Sequence, residues 1–144
     1  MVNSPLAYQV AGKGKPLVLL HGFLENRHIW DKWAAQLGQK GVKCLLIDLP
    51  GHGESPVLRH THSMEFMADA VIAVTRGLDQ PNFSIVGHSM GGYVALALAQ
   101  KYPEVPDALI LLNSHSLYSS PRPIPRGLSK MRCPLFFQLK TKSR

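Results

Sequence analysis

One hexapeptide in this chain could present a nucleophile: Gly87-His88-Ser89-Met90-Gly91-Gly92. It carries the G-x-S-x-G pattern of a nucleophile elbow, a pattern whose meaning depends on what flanks it. The apolar run Asn82–Val86 precedes it directly. Met90–Gln100, rich in small residues and stopped before Pro103, follows with helical spacing. A serine between a strand and a helix must sit on a sharp, strained turn. Glycines at 87 and 91 keep Cβ atoms from colliding with neighbouring backbone as the chain reverses. The hydroxyl then stands exposed at the helix N-terminus, where unpaired N–H groups favour developing negative charge.

Two more glycine-bearing turns follow short apolar runs. Leu19-Leu20-His21-Gly22-Phe23 closes the run Pro16–Leu20, and a glycine there lets a backbone amide approach a substrate oxygen. Asp48-Leu49-Pro50-Gly51-His52-Gly53-Glu54-Ser55 closes Lys43–Ile47, and a fourth run, Ala108–Leu112, ends at Asn113-Ser114. Runs of this length, apolar on both faces and bounded by turn residues, are expected to be buried parallel strands. Between them, Ile29, Trp30, Trp33, Ala34 and Leu37 keep helical spacing before Gly41. Met64–Leu78 does the same, with Ser63 as its cap. Leu6–Ala11 is expected to add one antiparallel edge strand, joined by the turn Gly12-Lys13-Gly14. The alternation predicts an α/β fold, a mainly parallel sheet with flanking helices. Ligand sites in such sheets gather at the carboxyl ends of the strands, where all three glycine-bearing turns fall.

With these motifs in this order, the chain from about Leu6 to Ser116 resembles the N-terminal half of an α/β-hydrolase fold protein. The resemblance is to the branch of esterases, lipases, C–C hydrolases and perhydrolase-like enzymes. It implies that Ser89 is the nucleophile of acyl transfer through a covalent ester, on a small ester- or thioester-like substrate. An Asp at that position would have suggested a dehalogenase, and a Cys a dienelactone-type hydrolase. It also implies that the backbone N–H groups of Phe23 and Met90 form the oxyanion hole. His88 and Met90 would line the pocket floor, with His21, Gly22 and His115 beside them. Neither cofactor nor metal is implied. The family triad runs nucleophile, acid, histidine, and the only ordered set left here is Ser89, Glu104 or Asp107, then His115. Asp107 precedes its strand, which puts it roughly 17–20 Å from the site at about 3.3 Å per residue. It cannot be the triad acid. His115 leaves the same strand at the active edge and is read as a pocket-lining residue, with a substitute base as the alternative. His21 and His52 are expected to be structural, and His28, His60 and His62 solvated. His60-x-His62 has no partner cluster with metal-ligand spacing.

Composition supports a folded domain of 144 residues, 45% hydrophobic and 17% charged. The net charge of +7 alone would suggest a partner such as nucleic acid or a membrane surface. Its location argues otherwise. Residues 1–116 hold 9 basic and 9 acidic residues, whereas 117–144 hold 7 basic and no acidic ones. Two domains of unlike character are therefore expected: a hydrolase-like body over 1–116, and a basic, proline-containing tail over 117–144. The tail is read as a disordered or non-native ending, truncated or out of frame, because the family's lid and last strand–helix units do not follow. That leaves a rival reading, a catalytically inactive fragment or a non-enzymatic binder using its basic tail. The tail lacks the regular aromatic interleaving of a nucleic-acid surface, so no specific nucleic-acid partner is expected. Cys44 and Cys133 are too few for a disulfide framework. The start MVNSPLAYQV shows no secretory pattern, and no run approaches 18 apolar residues. A cytoplasmic protein without a membrane segment is expected.

Overall fold

The computed structural model of the chain describes residues 5–114. Five strands form one sheet: β1 (Tyr8–Ala11), β2 (Lys15–Leu20), β3 (Val42–Ile47), β4 (Phe83–His88) and β5 (Pro106–Leu112). Their order is β1-β3-β2-β4-β5. β1 pairs antiparallel with β3, and every other pairing is parallel. The α/β architecture and the antiparallel edge strand anticipated above are both present.

Period-two alternation splits each central strand between two cores. Val18, Leu20, Leu45, Ile47 and Ile85 face one cluster, together with Met67, Val71, Val74, Val94 and Leu98. The last five belong to α2 (Met64–Gly77) and α3 (Met90–Lys101). Leu19, Cys44, Leu46 and Val86 face the other, against Trp30 and Ala34. Ala34 belongs to α1 (Asp31–Gly38). The result is three layers, helix–sheet–helices, with the sheet buried on both faces. That double burial is why the strands read as continuous apolar runs.

Local chemistry sets the element ends. Ser63 caps α2 by accepting the Phe66 N–H at 3.1 Å, a contact of the kind worth about 1 kcal/mol. The pattern expected as one helix from Ile29 divides instead. Asn26 accepts the His28 N–H and tightens Arg27–Trp30 into a 3₁₀ turn before α1 begins. Small residues at Gly91, Gly92, Ala95, Ala97 and Ala99 are all buried, which lets α3 lie close to the sheet and to α2. Asp107 falls inside β5 rather than before it, still at the end remote from β4's carboxyl terminus.

A carboxylate organises the turn after β3. Asp48, fully buried, accepts the backbone N–H groups of Arg27 at 2.7 Å and Glu54 at 2.9 Å, and pairs with the Arg27 guanidinium. Arg27 also reaches Glu54. A Cβ on Gly53, whose φ is +54°, would overlap the Asp48 carboxylate, so glycine is required there. Burial alone would raise the Asp48 pKa. The two amides and the guanidinium outweigh it and hold the carboxyl below its ordinary value. Ser55 completes the frame, donating to the Asp48 carbonyl at 2.6 Å and accepting the Ala7 N–H at 2.9 Å.

Candidate active site

The strands β2, β4 and β5 end side by side, with Leu20 opposite Gly87 and His88 opposite Leu112. Ser89 follows β4 and opens α3. Its backbone sits at φ +51°, ψ −115°, a left-handed conformation that a side-chain-bearing residue enters only at a cost. The chain can turn there because no Cβ stands in the way. One on Gly87 would strike the Gly91 backbone, and one on Gly91 would lie 2.5 Å from the carbonyl oxygens of Leu20 and His21. The serine's own backbone is fastened to β5. Its N–H donates to the Leu112 carbonyl at 2.9 Å, and its carbonyl accepts the Ser114 hydroxyl at 2.5 Å. A Cβ on Gly92 would overlap that hydroxyl, so the second glycine of the Gly91-Gly92 pair makes room for the staple.

His21 is fully buried. Its Nε2 accepts the Leu49 N–H at 3.0 Å, which puts the proton on Nδ1, and Nδ1–H donates to the Gly22 carbonyl at 2.7 Å. Burial lowers its pKa, against the pull of the Gly22 carbonyl, and favours the neutral ring. It ties the turn after β2 to the turn after β3. His52 packs against His21 and, edge-on, against Phe23, with ring centroids 5.3 and 5.8 Å apart.

Gly22 brings the β2 turn against the serine: a Cβ there would lie 3.3 Å from Ser89 Cβ and 3.2 Å from His88 Nδ1. Met90, as first residue of α3, has its N–H outside the helix ladder. The structure thus gathers Ser89, Gly22, His88 and the backbone of Phe23 and Met90 at one edge. His115 and the segment 117–144 lie outside the described residues, as does Cys133. Asp107 is at the opposite end of β5, and Glu104 precedes that strand. Among the described residues no group of three or more His, Cys, Asp or Glu could hold a metal. Nor is any helix long and apolar enough to cross a membrane.

Sequence reasoning passed over three residues of this edge. Glu25 Oε2 accepts the Gly22 N–H at 2.6 Å and the His88 Nδ1–H at 3.0 Å. Burial acts to raise its pKa, but the Gly22 amide and His88 outweigh it and hold it below the ordinary carboxylate value. Asn113 Nδ2–H donates to His88 Nε2 at 3.2 Å, and Ser114 is the serine staple. The available signal was position: a carboxylate one turn past Gly22, and two short polar residues where β5 ends. His62 is likewise not merely solvated. Its Nε2 accepts from the Leu58 and Arg59 amides at 3.2 Å, and its ring stacks on Phe66.

A mainly parallel sheet with helices on both faces, and a serine on a strained strand-to-helix turn at its carboxyl edge, defines a class of α/β folds. The chain belongs to the α/β-hydrolase fold family, whose model matches residues 15–131. It is 36% identical over 115 residues to a pimeloyl-[acyl-carrier protein] methyl ester esterase of Neisseria meningitidis, covering 80% of this chain and 35% of that protein. It is 31% identical to the AB hydrolase superfamily protein YisY of Bacillus subtilis, covering 83% and 45%. Among solved structures, a thermophilic esterase from Thermogutta terrifontis superposes with a TM-score of 0.75 at 36% identity, covering 81% and 43%. The chain spans less than half the length of each of these relatives.

Proposed function

We propose that this chain carries the nucleophile and oxyanion-binding half of an esterase-type serine hydrolase, with Ser89 as the nucleophile. The observation that carries the reading is Ser89 at φ +51° between β4 and α3, with Gly87 and Gly91 leaving no room for any other residue. Strain of that kind persists where the surrounding structure enforces it, and it is typical of functional positions. In this reading Ser89 Oγ attacks the carbonyl carbon of a small ester. The Phe23 and Met90 amides bind the oxyanion, the hydroxyl proton departs with the alcohol, and water then releases the acid from the acyl-serine and returns a proton to Ser89 Oγ. Removing one oxyanion donor typically costs about 10²–10³ in turnover. Relatives named as esterases support the ester as substrate class.

A second reading has its own observation. All of the net charge of +7 lies in residues 117–144, which hold 7 basic and no acidic side chains. In that reading the chain is a binder acting through its basic tail. An elbow and oxyanion hole alone retain about 10³–10⁴-fold over water in a folded enzyme. Hydrolysis of p-nitrophenyl acetate by the pure chain is expected to exceed that of Ser89→Ala. Equal rates would end the catalytic reading, and a steep salt dependence of DNA binding would favour the tail-driven one.

A further inference from the structure

The turn from Gly22 to Glu25 is anchored by polar groups rather than by burial. Phe23 is 66% and Leu24 82% exposed, so neither side chain fastens the turn to the core. Leu24 also holds φ +59°, which must be sustained by something outside itself. Two bonds close the turn: Glu25 N–H to the Gly22 carbonyl at 3.3 Å, and the Glu25 carboxylate back to the Gly22 N–H at 2.6 Å. The same carboxylate oxygen takes the His88 Nδ1–H, and His88 Nε2 is held by Asn113. One side chain therefore links the end of β2 to the end of β4, and through His88 to the end of β5. His88 is the residue immediately before the serine.

We propose that Glu25 is a positioning residue that holds the Phe23 amide toward Ser89. By occupying the Gly22 N–H it leaves the next amide as the oxyanion donor. By gripping His88 it fixes the distance between that amide and the serine. The inference rests on the reading of Ser89 as nucleophile, but its physical content does not require turnover. A carboxylate suits the task because one ionised oxygen accepts two N–H donors strongly. Glutamine keeps an oxygen at the same reach, whereas alanine leaves both donors without a partner.

The test uses the full chain with two readouts. In ¹H–¹⁵N spectra, Glu25→Ala is expected to move the Phe23 amide resonance and to speed hydrogen exchange of the Gly22 amide, whose acceptor it removes, by about tenfold or more, while Glu25→Gln stays near wild type. On p-nitrophenyl acetate, Glu25→Ala is expected to lower kcat by about 10- to 100-fold with KM within about twofold, and Glu25→Gln to recover most of the loss. A Phe23 amide unchanged in Glu25→Ala would overturn the proposal whatever the activity. Should that variant fail to fold, His88→Ala removes the carboxylate's anchor and must move the same amide, or the proposal falls. A wild-type chain no faster than Ser89→Ala sinks the esterase reading alone, and the amide readout still decides the role of Glu25.

Discussion

Ser89 pays for its position with its own backbone, and that cost is measurable apart from any activity. A glycine at φ +51° carries no such penalty, so Ser89→Gly is expected to raise unfolding free energy in urea by about 1 kcal/mol. Ser89→Ala should leave it nearly unchanged. If the two variants have equal stability, the turn is not strained. Gly91→Ala is the opposite case. Its Cβ would meet two main-chain carbonyls at 2.5 Å, and backbone cannot step aside as a side chain would. A loss of about 1–3 kcal/mol or more is expected in the same measurement. The serine and its glycines were legible because turn geometry restricts residue type. Glu25, Asn113 and Ser114 were not, because their roles come from residues 25 to 63 positions apart in sequence meeting at one edge.

At the level of elements, the turn after β3 is a buried-charge device. The Asp48 carboxyl has a lower pKa folded than unfolded. Its contribution is therefore fully present above the unfolded value and is lost as pH falls through the folded one. The urea midpoint of the wild-type chain should fall as pH drops below about 4, and Asp48→Asn should flatten that dependence. Glu25 and Asp69, also held low, contribute in the same direction, so some slope remains in the variant. A variant as steep as wild type would show that Asp48 is not a main source of acid sensitivity. At neutral pH, Asp48→Ala removes the acceptor of the Arg27 and Glu54 amides and leaves the half-buried guanidinium paired to the exposed Glu54 carboxylate, and it should cost about 3 kcal/mol. The elements themselves were largely readable. Sheet burial on both faces produced the apolar runs, and Ser63 marked the start of α2. The 3₁₀ turn at Arg27–Trp30 escaped because apolar spacing there does not distinguish three residues per turn from 3.6; the Asn26 cap decides it.

Across the whole molecule, stability should be graded from the centre of the sheet outward. Val18, Leu19, Leu20, Ile85 and Val86 lie in strands paired on both sides, and all are buried. β1 is four residues long with Gln9 and Val10 exposed. Native-state hydrogen exchange should find the amides of β2 and β4 slowest and those of β1 markedly faster, and uniform protection would contradict this gradient. The strand order has a further consequence for how the protein is made. β1, β2 and β3 emerge first and form one block, β1-β3-β2, from residues 8–47. β4 then joins beside β2, and β5 beside β4, each at the same open flank. Among the described residues no later strand has to be inserted between two already paired, so this part of the sheet can fold in the order of its synthesis. Ser89 is translated before the strand that fastens it. Its N–H finds the Leu112 carbonyl only when β5 arrives, so the serine takes up its final geometry as the last strand described is laid down.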